Sequence, residues 1–448
     1  MAETEIVKKL IDINGEQCVS ESEAMSRHTT FRIGGPARVF VSSDNIDKII
    51  KTIELLKKEE QEYFILGNGS NLLVADEGYN GIVVSTENLK ELNIEYDTFY
   101  YTMKDWDNDS ELESSLDRYI AVSKNVYDCV FSVNFSPVIS DLCNRLKLPY
   151  ISWVYDCPIN IRRTEVLKNK CNTIYFFDRI QAQHYMENGV AGAKHLPLAA
   201  DIDTFLPALA KDDNYACDVA FVGKLYKSDY SYISNYQDVY TKGYLEGIVE
   251  TQQKLYGGYI IDDCINDNIM KHINENFANV SNGSYSVIKP EVTYALATEV
   301  TSRERFMALA LLQNRCNVNL YSTDVDERLN NVNNKGYIDY YSQMPKAFYN
   351  AKINLNISLK IIQSGIPLRV LDVLACKGFL ITNYQAEIME YFTPGKDLVV
   401  YEDIKDLIAK VQYYLDNEDE RLWIADNGYK KVKENFKVKD RIDSILRN

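Results

Sequence analysis

The chain has 448 residues, 46% hydrophobic and 25% charged, which is enough for a sizeable core and, at roughly 150 residues per domain, for two or three domains. A formal charge of −16, from 49 Lys+Arg against 65 Asp+Glu, argues against a sequence-independent nucleic-acid binder and against docking on anionic lipid by charge alone. Nine scattered cysteines without a CxxC pair fit buried thiols in a reducing, cytoplasmic setting and offer no metal site. No run approaches the ~20 apolar residues of a transmembrane segment, and the opening MAETEIVKKLIDING has the pattern of an amphipathic helix rather than a signal peptide.

The first helix is expected over residues 1–19. HTTFRIGGPARVFVSS (28–43) follows, as two short strands around a Gly34-Gly35-Pro36 turn. Asp44 is expected to cap a helix Asn45–Lys58, whose Ile46, Ile49, Ile50 and Ile53 form one apolar face. A strand Tyr63–Leu66, a loop of Gly67, Asn68, Gly69, Ser70 and Asn71, and a strand Leu72–Val74 come next. Glycines after a strand let backbone N–H groups approach a phosphate, although a tight hairpin turn has the same composition.

Together, HTTFRIGGPA and ILGNGSNLLVADEGYNGIVVST (65–86) resemble the start of UDP-N-acetylenolpyruvoylglucosamine reductase, a flavoenzyme of peptidoglycan synthesis. The resemblance implies a partial α+β FAD-binding-type fragment over residues 1–92, with Gly67–Asn71 at the FAD pyrophosphate. It ends near Glu95, and the later part of that family, with its catalytic Ser and Glu, has no counterpart downstream. Weak or no FAD binding and no reductase chemistry are therefore expected. FAD-dependent UDP-N-acetylmuramate dehydrogenase activity remains the alternative function, and a non-catalytic fusion or binding protein is a third.

From Ile94 the pattern changes. IEYDTFYYT is expected as a strand, followed by helix Glu111–Val122, strand Cys129–Val133, helix Val138–Leu146, strand Tyr150–Tyr155, strand Thr173–Phe177 and helix Arg179–Asn188. This alternation predicts a doubly wound parallel sheet, whose ligands bind beyond the carboxyl ends of its strands. Asn134, Asp156 and Asp178 each follow a strand and so lie at that edge. Asp156 serves equally as a helix cap or a catalytic carboxylate; for Asp178 a cap is favoured.

The Pro-punctuated HLPLAADIDTFLP (195–207) crosses to a second α/β domain, which opens with strand Asp218–Val222 and Gly223-Lys224. Residues 238–300 are mostly helical and polar in pattern. Helix Ser302–Gln313 and strand Asn317–Tyr321 resume the alternation. In residues 352–383, KINLNISLKIIQSGIPLRVLDVLACKGFLITN, buried strands Ile353–Leu359 and Phe379–Thr382 flank a helix Leu368–Cys376. Pro367 is expected in its first turn, Arg369 supplies a cation and Asp372 a carboxylate one turn in. A helix N-terminus with these charges suits a nucleotide diphosphate and its ribose. Helices Asp403–Asn417 and Asp419–Asn435 are expected to finish the chain.

YISWVYDCPINIRRTE, LPLAADIDTF, DVAFVGKLY and GIPLRVLDVLACKGFLITNYQAEIMEYFTPGKDLVVYEDIKDL resemble the spore-maturation CgeB-like family of GT-B glycosyltransferases over residues 95–446. The resemblance implies an α/β fold of two Rossmann-like domains in the GT-B arrangement, over 93–205 and 206–448, after the fragment 1–92. It also implies transfer from a nucleotide-sugar, without bound metal, to a cell-envelope or spore-surface acceptor. Gly223, Lys224, Pro367 and Arg369 would then lie by the diphosphate, Asp372 by the ribose and Glu387 by the sugar, with Asp156 as the base. Retaining relatives often carry two glutamates eight positions apart, and here those positions hold Ser364 and Asp372. The first domain also lacks an opening strand, a place that Gly81–Ser85 is expected to fill.

Overall fold

The computed structural model describes residues 2–29, 34–43, 45–66, 74–86, 95–123, 125–159, 161–281 and 285–447. They divide into two units, Met1–Tyr100 and Tyr101–Asn448. The sequence motif Gly67–Asn71 and the strand start at Leu72 lie outside the described residues.

The first unit is built on α1 (Ala2–Asn14), β1 (Val19–Ala24), β2 (Pro36–Ser42), α2 (Ile46–Lys58), β3 (Tyr63–Leu66) and β4 (Tyr79–Ser85). Its mixed sheet has the order β1-β2-β4-β3, with β1 antiparallel to β2 and the other pairs parallel. Ile6 and Leu10 of α1 and Ile49 and Leu56 of α2 bury against Val39, Val41, Ile82 and Val84, so two helical stripes share one face of the sheet. Asn45 caps α2, its side chain accepting from Lys48 N at 3.2 Å, and the expected cap Asp44 lies outside the described residues. Residues 81–85 belong to β4, at the centre of this sheet, and do not complete the next one.

In the second unit, α3 (Ser110–Val122), β5 (Val130–Val133), α4 (Pro137–Leu146), β6 (Tyr150–Val154), β7 (Asn172–Phe176), α5 (Arg179–Glu187) and β8 (Ala193–His195) form a first α/β layer. Its four strands are all parallel, in the order β5-β6-β7-β8. The strand expected from IEYDTFYYT does not form over its described residues, 95–102. Residues 95–103 have no regular structure and leave Tyr96 and Tyr100 exposed, because neither face of the alternating stretch meets a core. Among the described residues β5 pairs only with β6, and its Phe131 and Val133 stay exposed.

The chain then continues through α6 (Pro207–Ala210), β9 (Cys217–Val222), α7 (Tyr230–Ser234), α8 (Val239–Lys254), α9 (Ile261–Cys264), α10 (Asp267–Ser281), α11 (Lys289–Leu312), β10 (Val318–Tyr321), β11 (Asn333–Asn334), α12 (Met344–Asn350), β12 (Ala351–Asn356), α13 (Leu368–Ala375), β13 (Leu380–Asn383), α14 (Ala386–Tyr391), β14 (Val399–Tyr401), α15 (Ile404–Asp416), α16 (Glu418–Asn435) and α17 (Val438–Arg447). Six parallel strands in the order β11-β10-β9-β12-β13-β14 make a doubly wound sheet whose order reverses between β9 and β12. Helices α7 to α10 form an insertion with its own core of Leu245, Ile248, Ile273 and Phe277 against Val292, Leu296 and Val300 of α11. Helix α11 begins thirteen residues before the expected Ser302, since Pro290 sits in its first turn and the Glu291 carboxylate accepts from Ile288 N at 3.0 Å.

A helix after Asn435 was not expected. α17 carries the chain back to the first layer, where Arg441 Nε donates to Pro197 O at 3.2 Å and Ile445 enters the core that also holds Trp153 and Phe205. That core runs continuously from β6 and β7 to α13. Among the described residues no helix is long and apolar enough to cross a membrane. All nine cysteines are free thiols.

Candidate active site

In a doubly wound sheet the ligand crevice opens where the strand order reverses, here at the carboxyl ends of β9 and β12. β9 is followed by Gly223, whose φ of +156° lies at the edge of the glycine-favoured region and whose N–H donates to Tyr321 O at 3.1 Å. Lys224 follows, with an exposed side chain. β12 leads through residues 357–367 into α13.

The crevice is dominated by a residue the sequence reading passed over. Arg305, on α11, reaches between the two strand ends: Nε donates to Ile357 O at 3.1 Å, Nη2 to the same oxygen, and Nη1 to Lys224 O. Its guanidinium lies between the rings of Phe221 and Tyr226, at 5.2 and 4.8 Å from their centroids. A Cβ at position 223 would lie 3.5 Å from Nη1, in ordinary contact with this buried head group. Lys360, in the loop after β12, donates to Leu255 O at 2.9 Å and lies over the Tyr256 ring. Arg369 packs on Phe348, 5.3 Å from its ring centroid, with Nη1 against Met344 Sδ.

Among the described residues, Arg305, Lys360 and Arg369 form no ion pair. Burial pushes the pKa of each down, and at Arg305 the nearby Arg369 charge adds to the effect. The nearest acids do not offset them fully. Buried Glu304 accepts from Tyr256 and Tyr401 hydroxyls at 2.7 and 2.8 Å, and Asp372 is raised by burial to about 7. Three enclosed cations with so little compensation are costly, and an anionic ligand would relieve them.

Several expected roles need correction. Pro367 is the N-cap of α13, with φ −61° and ψ 145°, rather than a first-turn residue; its extended ψ turns the chain into the helix. Asp372 is 1% exposed and takes the Tyr340 hydroxyl at 3.0 Å, so it faces the interior instead of a ribose. Its burial is tolerated because Val370, Leu371, Val373 and Leu374 bury beside it, at about 1.5–3 kcal/mol each. Glu387 is fully buried. Oε1 accepts from Arg179 N at 2.9 Å and Ser364 Oγ at 2.8 Å, and Oε2 lies 2.8 Å from His195 Nε2, so no oxygen faces a sugar.

Asp156, after β6, caps no helix. It accepts from Asn134 Nδ2 at 2.9 Å, while Asn134 Oδ1 takes the N–H groups of Tyr155 and Asp156. It is exposed on one side, and partial burial raises its pKa. Asp178 does cap α5, through Gln181 N at 2.9 Å. A separate cavity of about 590 Å³ opens beside Tyr226, Lys227, Ser302 and Phe306. Its Arg303 is paired with Glu246 and Glu299 and its Arg328 with Asp326, so it carries little net call for an anion.

Residues 303–447, which include Arg305, Lys360 and α13, match the family described as "Glycosyl transferase-like". The first ~90 residues are similar to UDP-N-acetylenolpyruvoylglucosamine reductases. The protein of Alkaliphilus metalliredigens is 38% identical over 96 residues, 21% of this chain and 32% of that one. The protein of Caldanaerobacter subterraneus is 43% identical over 90 residues, 20% and 30%. The chain thus spans about a third of the length of these curated relatives. Among solved structures, sucrose-phosphate synthase from Thermosynechococcus elongatus aligns with a TM-score of 0.44 at 11% identity, over 75% of this chain and 76% of that one. Anabaena HepE, solved in complex with UDP, aligns with a TM-score of 0.42 at 9% identity, over 91% and 90%.

Proposed function

We propose that the second unit transfers a sugar from a nucleotide-sugar to a cell-envelope or spore-surface acceptor, as its resemblance to the CgeB-like family implies. The observation that carries this reading is the surplus of enclosed cations, Arg305, Lys360 and Arg369, at the carboxyl ends of β9 and β12 beside the N-terminus of α13. A diphosphate leaving group gains negative charge as the bond to the sugar C1 breaks, and prearranged cations stabilise that charge without a metal. Gly223 and the Lys224 carbonyl lie against Arg305 of this group. Asp156 accepts the proton of the acceptor hydroxyl as its oxygen bonds to C1. Its raised pKa makes it a better base than an ordinary carboxylate. UDP- and GDP-sugars are expected to raise the melting temperature by linkage. No shift and no hydrolysis with either class would sink this reading.

For the first unit we propose a partial flavin-domain fragment that adds no reductase chemistry. Two of its described glycines serve close backbone packing: a Cβ at Gly35 would sit 2.1 Å from Asp76 O, and one at Gly78 2.0 Å from Pro36 O. These close approaches pack the turn at residues 35–36 against residues 76–78. A purified protein that is yellow, with flavin absorbance, would contradict this.

A further inference from the structure

The loop that carries the chain from β12 to α13 is held from the other layer of the same unit. Three consecutive N–H groups, of Gln363, Ser364 and Gly365, converge on Asp178 Oδ2 at 2.8, 2.8 and 3.0 Å. Asp178 stands at the end of β7, about 185 residues earlier in the chain, and is 1% exposed. Successive amides turned inward in this way form an anion-binding nest, and the carboxylate fills it. Ser364 Oγ lies 2.8 Å from Glu387 Oε1 and 3.2 Å from Asp178 Oδ1, so one hydroxyl joins the two buried carboxylates. A second, independent feature requires the same approach: a Cβ at Gly365 would lie 2.8 Å from the Phe177 ring and 2.9 Å from Asp178 Cα.

The geometry points to Asp178 as a positioning residue for the donor site, a role that rests on the nucleotide-sugar reading above. Asp178 touches neither donor nor acceptor. It fixes the loop that carries Lys360 and presents the first turn of α13, so the first layer sets the shape of the phosphate site in the second. Capping α5 explains only the bond to Gln181 N; the three loop amides are additional. Every one of these partners donates. Asn at this position offers a single accepting oxygen and cannot serve both groups, which makes Asp178→Asn a near-isosteric test.

The test uses the full chain, with UDP and GDP as probes in calorimetry and with amide hydrogen exchange over residues 357–367. Asp178→Asn and Gly365→Ala are expected to speed exchange at 363–365 by about tenfold or more and to weaken UDP or GDP binding by about tenfold. Glu390→Gln breaks the exposed Arg179–Glu390 pair at the same interface and is expected to leave both readouts within about twofold. Faster exchange with unchanged affinity would reduce Asp178 to a structural tie and overturn the proposal. Equal losses in Glu390→Gln would do the same, and so would unchanged exchange in both test variants. Should the wild type bind neither UDP nor GDP, the donor reading fails, while exchange still decides whether Asp178 holds the loop.

Discussion

Asp372 gives a perturbation whose size and sign follow from the structure. Its carboxyl is buried beside aliphatic side chains of α13, with the Tyr340 hydroxyl and the Arg369 charge as partial compensation. Burial raises its pKa from 3.8 to about 7, a difference worth about 4 kcal/mol between its two protonation states. Between these values the folded protein holds a proton that the unfolded chain has lost, so stability falls as pH rises through this window and levels above it. Asp372→Asn keeps the shape and an acceptor for Tyr340 but cannot ionise. Its stability relative to wild type is therefore expected to rise by about 3 kcal/mol between pH 5 and pH 8. Urea unfolding of both proteins across that range, followed by fluorescence of the buried Trp153, measures the difference. A difference independent of pH, or one that grows toward acid, would refute the placement of Asp372 in a low-dielectric interior.

Arg305→Met leaves Ile357 O and Lys224 O without their charged donor, at about 1–3 kcal/mol for each buried carbonyl, and is expected to lower denaturation midpoints as well as nucleotide affinity. A normal midpoint would contradict its bridging role. Residues 101–448 expressed alone are expected to bind UDP or GDP within about twofold of the full chain, because the site lies wholly in the second unit. Loss of binding in that piece, with its folded circular dichroism spectrum retained, would assign the first unit a part in the site.

The strands and helices that carry period-two and period-3.6 patterns were legible in the sequence. β5 to β7, α3 to α5, β9, β10 and α13 fall within a residue or two of expectation, since their patterned residues bury on one side, mostly in the cores of the second unit. Alternation alone misled at IEYDTFYYT, where no core lies behind either face. The alternation of strand and helix that continues from Asp218 was also legible, and it leads to the parallel sheet of the second α/β layer. The roles of individual side chains were not. Arg305 sits in the middle of the helical stretch TSRERFMALALL, and nothing in its spacing tells that its head group reaches two strand ends. Glu387 and Asp178 lie 209 positions apart, and their joint engagement by Ser364 is a tertiary fact. The one available clue was Gly365, whose lack of a side chain permits the close approach.

The most direct test of the central claim is release of nucleoside diphosphate from a panel of UDP- and GDP-sugars, by wild type and by Arg369→Met side by side. Arg369 packs on Phe348 and Met344 and, among the described residues, makes no ion pair, its charge acting on Asp372 only through space, so its replacement by an unbranched apolar side chain spares the local packing. The account expects turnover of at least one donor by the wild type and a loss of about tenfold or more in the variant. Equal turnover by both proteins, or none with any donor, would contradict it.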